Sequence, residues 1–533
     1  MNKELKYFTD SGFLISPELL DKINLIDKEN LVENMSGAVV VINEDLVRCI
    51  EEDKKKELNW IGFDDARVLF EKKRLADDYN AFLDVLFERT EFNNKEAENF
   101  LEREDSEGGV VVLQSYNEKP KKVGVEDFVA IFNNRYRILK EILCNRIELK
   151  DAASISRIVN KNKESVALIG IVNDKRLTKN NNLLLELEDL SGKINVLINR
   201  NKNELRDAAR EIVLDEVIGI SGNIDNGFVF ANKIFFPDIP VGKELKKSPA
   251  EEYAVFISDL HVGSKNFLEE DFNRFLDWVN GVGELENGGN GGIVDKIKYL
   301  FLVGDLIEGI GVYPGQENDL KIKDYYQQYR KLDELLKRIP ERIKIILCPG
   351  NHDAVRLDEP QPPLDKGLLG DLLERENVFS VSNPALVNIG ATKDFSGFDV
   401  LIYHGGSFTY YADTVDDIRL KGGVTRADLI MKLLLKKRHL APTHTSTSYL
   451  AGSKDNLILN KVPDFFISGH VHRCSVVNHN NVVMLNCGCW ASQTDYMEGR
   501  GIEPEPSRAI IINLHTMESK ITYFGDESKQ TNS

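Results

Sequence analysis

The sequence predicts an α/β domain built on buried strands, preceded by an all-β barrel and, at the amino terminus, a small helical module. Two observations carry most of this. Five compact apolar runs in the second half, YAVFI, YLFLV, IKIIL, DVLIY and DFFI, each end at a short polar motif. Runs of that length, rich in β-branched and aromatic residues, fit strands buried on both faces. Between residues 165 and 236 the pattern differs, with three short strand-like runs, one helical segment and two further runs.

Taken in order, Lys3–Met35 places Leu5, Phe8, Leu19, Leu20, Ile23, Leu25, Ile26 and Leu31 at helix-like intervals, and Ser16-Pro17 supplies a cap and first turn. With the apolar AVVVI at Ala38–Ile42 this makes a helical module over residues 1–87. Residues 88–126 turn polar and charged, a composition too poor in apolar surface to offset chain entropy, and read as a linker. Its apolar Val110–Leu113 is the part suited to dock as a short strand. Val125–Leu149 is an amphipathic helix with Phe128, Ile131, Phe132, Tyr136, Ile138, Leu139, Ile142 and Leu143 on one side.

Strand patterns follow at Ser165–Asp174, Leu183–Asp189 and Lys193–Ile198, then a helix at Lys202–Val213, then strands at Glu216–Asn223 and Phe228–Phe236. Three strands, a helix and two strands is the order of an OB-fold barrel, so residues 127–240 form a helix-plus-barrel domain. The barrel's strands show few of the aromatic and arginine pairs that stack on bases, which makes a packing platform at least as good a reading as a DNA-binding one. Pro237–Pro249 reads as a hinge, residues 250–525 as the α/β domain, and residues 526–533 as a disordered tail. Asn287–Gly292, NGGNGG, lacks the Lys-Ser/Thr ending of a phosphate-cradling loop and reads as an insertion.

The motifs closing the five apolar runs are ISDLH (Ile257–His261), GDLIE (Gly304–Glu308), GNHD (Gly350–Asp353), YHGG (Tyr403–Gly406) and GHVH (Gly469–His472). They supply Asp259, His261, Asp305, Asn351, His404, His470 and His472. Oxygen and imidazole donors without a thiolate suit a pair of first-row divalent ions. One such motif alone is more often a turn or a satisfied core histidine. Five in sequence, each at a strand end where α/β folds gather their ligand loops, point to a metal-dependent phosphoesterase.

This motif set resembles the calcineurin-like metallophosphoesterase superfamily, a four-layer sandwich. The resemblance implies that Asp259, His261, Asp305 and His472 hold one ion while Asp305, Asn351, His404 and His470 hold the other, with Asp305 bridging. Manganese is the expected metal, with magnesium, iron, nickel or zinc as alternatives. His352 matches the superfamily's general acid, with Asp353 as the residue that orients it.

AVRLDEPQPPLDK after GNHD, the segment from Gly422 to Phe466, and LNCGCWASQTDYMEG after GHVH are similar to the small subunit of the archaeal family-D DNA polymerase, most closely from about Asp127 onward. That likeness implies a 3′→5′ DNA exonuclease that proofreads and assembles with a polymerase large subunit. The partners it implies are that subunit in a heterodimer, DNA with a 3′ end, and the sliding clamp. Where that family has small hydroxyl residues beside the tryptophan, this chain has Cys487 and Cys489. Three readings compete: a non-catalytic scaffold subunit, against which every ligand position is filled; a phosphodiesterase on another substrate; and a double-strand-break repair nuclease of the same superfamily, which puts its phosphoesterase domain first, whereas here roughly 250 residues precede it.

Length and charge are compatible with this. At 533 residues and 42% apolar content the chain can bury two or three cores. A net charge of −18 argues against indiscriminate binding to nucleic acid and shifts attention to local patches. One candidate is Arg419, Lys421, Arg426, Lys436, Lys437 and Arg438, read equally well as DNA contacts or as the solvated face of a helix on which Leu429, Leu433 and Leu434 are buried. Six cysteines form neither a disulfide framework nor a zinc-knuckle spacing, and no apolar run approaches the roughly eighteen residues of a membrane span. A reducing, cytoplasmic, nucleoid-associated setting is the expectation.

Overall fold

The computed structural model describes Leu14–Ile15, Val41–Ile42, and residues 109–117, 122–199, 201–240, 242–282, 292–499 and 502–526. Contacts divide the chain after Asp105. In the first unit the described pieces are β1 (Leu14–Ile15) and β2 (Val41–Ile42), which pair in parallel. Leu14 and Ile15 are therefore strand where helical spacing was expected; the rest of the helical module, like most of NGGNGG and the tail beyond Asp526, lies outside the described residues.

In the second unit, β4 (Glu164–Leu177), β5 (Leu183–Asp189), β6 (Gly192–Ile198), β7 (Val217–Asp225) and β8 (Phe228–Phe235) form a closed barrel in the order β4-β5-β6-β8-β7. Period-two alternation fills it: Leu183, Leu185 and Leu187 point inward from β5, and Ile194, Val196 and Ile198 from β6. Helices flank it. The long α1 (Val125–Cys144) lays Tyr136, Leu139 and Leu143 on the barrel, and the short α2 (Asn203–Arg210) adds Leu205 and Ala209 to the barrel core.

Two six-stranded sheets follow. The first runs β12-β11-β10-β9-β18-β19, from β9 (Tyr253–Ile257), β10 (Ile297–Val303), β11 (Lys344–Cys348), β12 (Val378–Ser380), β18 (Arg508–Asn513) and β19 (Ser519–Tyr523). The second runs β16-β17-β15-β14-β13-β3, from β3 (Val110–Ser115), β13 (Ala385–Ile389), β14 (Phe398–Ile402), β15 (Phe465–Ser468), β16 (Cys474–His479) and β17 (Val482–Cys487). Phe256, Phe301, Ile346, Val400, Phe465 and Ile510 join the sheets in one core. The first sheet's other face is covered by α3 (Glu269–Val279) and α4 (Tyr325–Leu336), the second's by α5 (Ala427–Lys437). Strands β9, β10 and β11 lie parallel, as do β14 and β15, so each set delivers its carboxyl ends to one rim.

The short strand expected at Val110–Leu113 forms as β3, which pairs antiparallel with β13, because Val110, Val112 and their neighbours complete the edge of an apolar sheet. One expectation changes. Pro237–Pro249 is a fastened strap instead of a hinge. Lys246 pairs with Asp464 at 2.8 Å and donates to the Gly397 carbonyl at 2.9 Å, Lys243 pairs with Asp464, and Ser248 N–H donates to Leu514 O at 2.7 Å.

Candidate metal centre

All seven expected ligands leave the carboxyl ends of β9, β10, β11, β14 and β15. The turns there are tight. Asp259, His261, Asp305, His470 and His472 stand in left-handed backbone with φ between 47° and 70°, a region that side chains adopt at a cost and that concentrates at functional sites. Gly304 (φ 77°) and Gly350 complete the packing, since a Cβ on the first would strike the His404 ring and on the second the Asp305 carboxylate.

Three groups converge: Asp259, His261 and His472; His261, Asp305 and His352; and Asp305, His404 and His470, each with its donor atoms within 4.8 Å of one another. His404 Nδ1–H donates to Val303 O at 2.8 Å, which leaves the Nε2 lone pair facing Asp305 Oδ2 at 3.2 Å and Asn351 Oδ1 at 3.2 Å. His261 Nδ1 is held by Glu308 Oε2 at 3.0 Å, and its Nε2 faces His472 Nε2 at 3.1 Å. Lone pairs aimed at lone pairs in a buried site require a shared proton or a cation between them, and a second acceptor on the far ring nitrogen is what orients a metal-ligating imidazole. The residues therefore fit divalent ions.

The protonation equilibria of the metal-free centre express the same crowding. Burial alone would raise the Asp305 carboxyl, but the imidazoles of His404, His352 and His261 hold it well below the ordinary carboxylate range. Burial works against charge on His404 too, yet Asp305 and Asp259 hold its pKa up to about 10, so in the metal-free centre a proton on Nε2 takes the place between His404 and Asp305 that a cation would fill. His470 is pushed down to about 4, by burial and then by the neighbouring His404.

His352 sits at the rim of this cluster, with Nδ1–H donating to Glu308 O at 2.8 Å, its backbone N–H donating to Asp305 Oδ1 at 2.8 Å, and Nε2 4.0 Å from Asp305 Oδ2. Asp353 does not orient it, contrary to expectation. Its carboxylate turns the other way, accepting from Gly350 N–H at 2.8 Å, Leu306 N–H at 3.2 Å and Tyr329 O–H at 3.1 Å. It braces the backbone of two ligand loops, and burial followed by the charge of Asp305 raises it to about 7. The residue that positions His352 is Glu308, whose carbonyl holds His352 while its carboxylate holds His261. Gln316 Nε2 donates to that carboxylate at 3.0 Å and Tyr313 O–H at 3.2 Å. GDLIE contains Glu308, but only the fold shows that one residue serves both imidazoles.

The basic patch divides into solvent-exposed and buried side chains, each engaged in an ion pair or a carbonyl contact. Arg419 pairs with Asp416 at 2.8 Å, Lys421 with Asp417 at 3.9 Å, and Arg426 with both oxygens of Asp428 at 2.8 and 2.7 Å. Lys436 pairs with Glu211. Lys437 and Arg438 are buried and so are not DNA contacts: Lys437 meets Glu216 at 2.6 Å, and Arg438 donates to Leu459 O at 2.7 Å. Since Glu211 and Glu216 belong to the barrel segment, α5 uses its lysines to hold the barrel. Arg135 on α1 adds to this clamp, bonded to Asp455 at 2.7 Å and to the carbonyls of Pro442 and Asp215 at 2.5 and 3.2 Å.

Fold and site together define a calcineurin-like phosphoesterase, and the model of that family matches residues 254–474. The chain is 36% identical over 408 residues to the DNA polymerase II small subunit of Methanothermobacter thermautotrophicus, covering 76% of this chain and 81% of that one. It is 31% identical over 526 residues to the protein of the same name from Thermoplasma acidophilum, covering 96% and 91%. With the small subunit of Methanocaldococcus jannaschii it shares 36% identity over 403 residues, 75% of this chain and 66% of that one. The chain belongs to the DNA polymerase II small-subunit family, which bears out the resemblance drawn from its motifs. No helix among the described residues is long and apolar enough to cross a membrane.

Proposed function

We propose that the chain is a two-metal 3′→5′ exonuclease on DNA and the proofreading and assembly subunit of a two-subunit replicative polymerase. The observation that carries this is the complete ligand set gathered at one rim, with His404 Nε2 facing Asp305 and Asn351 at 3.2 Å. Asp259, His261, Asp305 and His472 would hold one ion, and Asp305, Asn351, His404 and His470 the other. Bound divalent ions supply a nucleophile at neutral pH and stabilise developing charge on a phosphodiester. His352 is the proton donor to the departing oxygen: Glu308 O fixes its Nδ1–H, so Nε2 is the nitrogen left to face a substrate. Glu308 keeps both His352 and His261 in orientation.

The closed barrel is an OB-type platform, on its strand order and its inserted helix. Its clamp to α5 supports a role in presenting one rigid surface to a polymerase large subunit, the partner that the relatives' name implies. The test is incubation of the full chain with a 3′-mismatched primer in Mn²⁺ and in chelator. Stepwise shortening from the 3′ end that stops in chelator is expected; an intact primer in Mn²⁺ rejects the nuclease.

A further inference from the structure

Beside the metal rim lies a polar recess of about 110 Å³ whose lining includes Gln114, Tyr116, Asn117, Pro360, Pro384 and Asn456. Its position follows from the sheet. Strand β3 runs antiparallel to β13, which runs antiparallel to β14, so Ser115 stands opposite Ala385 and Ala385 opposite Ile402. The carboxyl end of β3 therefore emerges at the rim where His404 follows β14. Two strand spacings put it roughly 10 Å along that rim. The floor is tied directly to the ligand loops. Pro360 precedes Gln361, whose Nε2 donates to Gly350 O at 3.1 Å, and Pro384 follows Asn383, whose Oδ1 accepts from His404 N–H at 2.8 Å.

The lining is built and held. Tyr116 N–H donates to Ser382 Oγ at 2.8 Å, and Ser382 N–H to Ser115 Oγ at 3.0 Å, which pins the end of β3. The Arg356 guanidinium, on the GNHD loop, lies over the Tyr116 ring at 4.7 Å and is anchored to Pro360 O at 2.7 Å. No carboxylate of a described residue pairs with Arg356. The amides of Gln114, Asn117 and Asn456 make no hydrogen bond to another described residue, so three donor-and-acceptor groups face the recess uncommitted.

We propose that this recess receives an unstacked base of a single-stranded 3′ end whose phosphodiester lies at the metal centre, with Tyr116 as stacking platform, the amides reading the base edge and Arg356 facing the backbone phosphate. The inference rests on the nuclease reading and deepens it. A base still paired in duplex cannot enter, whereas a mismatched terminus frays at lower cost, so the recess favours mispaired ends. Amides that present both donors and acceptors accept any of the four bases, which proofreading requires.

The test uses the full chain in Mn²⁺ with two substrates: bis(p-nitrophenyl) phosphate, which has no nucleobase, and an oligo(dT) strand. Tyr116→Ala is expected to raise KM on the oligonucleotide about 10-fold, the scale of one lost stacking platform, with kcat within twofold. Tyr116→Phe keeps the wild-type KM, and Asn456→Ala raises it by a smaller factor. Hydrolysis of bis(p-nitrophenyl) phosphate serves as the fold control for each variant. An unchanged KM on the oligonucleotide for both Tyr116→Ala and Asn456→Ala overturns the subsite and leaves the nuclease standing. A wild-type chain that hydrolyses bis(p-nitrophenyl) phosphate but not the oligonucleotide overturns both.

Discussion

At the sheet rim, His404 Nε2 faces two oxygens at 3.2 Å and His261 Nε2 faces another imidazole nitrogen at 3.1 Å; on α5, Lys437 faces Glu216 at 2.6 Å and Arg426 grips both oxygens of Asp428. Both regions are crowded with ionisable groups, and from sequence both looked functional. The difference lies in matching. Around α5, Arg426, Lys436, Lys437 and Arg438 each have their own carboxylate or carbonyl, and the pairs of Lys436 and Lys437 hold barrel to sheet. At the rim, acceptors point at acceptors, and the arrangement is complete only when something positive arrives. Unmatched polarity in a buried place marks chemistry, while matched polarity marks architecture.

The comparison breaks most directly at Asp305, which contributes to two of the three convergent groups. Asp305→Ala is expected to lose bound metal and all phosphodiester hydrolysis while the fold and co-purification with a large subunit persist. Metal analysis beside a nuclease assay checks this, and retained cleavage would refute a shared carboxylate. His352→Ala removes no expected ligand. Metal content should stay while single-turnover rates fall roughly 10²–10⁴-fold, the usual scale for a lost general acid; loss of metal as complete as in Asp305→Ala would make His352 a ligand instead.

On the architectural side, Lys437→Ala strands the Glu216 carboxylate in the interior. Burial already pushes the Glu216 pKa up and brings Lys437 down to about 8, so the pair persists against its desolvation. Removing one partner should cost about 3–5 kcal/mol in denaturant unfolding, with the DNA affinity of the folded protein unchanged. Lower affinity at wild-type stability would return Lys437 to a DNA surface. Glu308→Gln should be milder, reducing metal affinity or turnover by roughly 10–100-fold, because it weakens an acceptor behind His261 without removing a ligand.

The contrast also explains what the sequence could tell. Each ligand was legible because its identity is coupled to a strand end: an apolar run stops, a glycine or aspartate turns, and a histidine or carboxylate follows. The barrel was legible for a similar local reason, the inward alternation of Leu183, Leu185 and Leu187. Lys437 misled because helical spacing marks only the face that α5 lays on its own sheet, and the barrel covers a second face. Asp353 misled for want of geometry. Adjacent to His352 in sequence, it turns toward Leu306 and Gly350, while Glu308, 44 residues upstream of His352, reaches the imidazole. Strand β3 was legible even inside a polar stretch, because Val110–Leu113 is a short apolar run and one edge strand needs only a few apolar residues when the sheet supplies the rest.

The last prediction concerns a buried group that belongs to neither class. Glu359 accepts from Tyr403 O–H at 2.9 Å behind the His404 loop, with no cation among the described residues paired to it, and burial raises its pKa to about 8 from an ordinary value near 4.5. A carboxyl raised on folding contributes stability that is fully present below about pH 4.5 and is lost as pH rises through about 8, because over that window the unfolded chain releases the proton first. Glu359→Gln keeps the shape and the acceptor but cannot ionise. In chelator-treated protein the added amide N–H, which goes unpaired, should lower stability by roughly 1–3 kcal/mol near pH 4, and the variant should then gain on the wild type by about 4 kcal/mol as pH rises to 8. Unfolding midpoints of both proteins across pH 4–9 decide it. Parallel curves would mean that Glu359 is ionised in the native state and matched by a partner, which would move it to the architectural class.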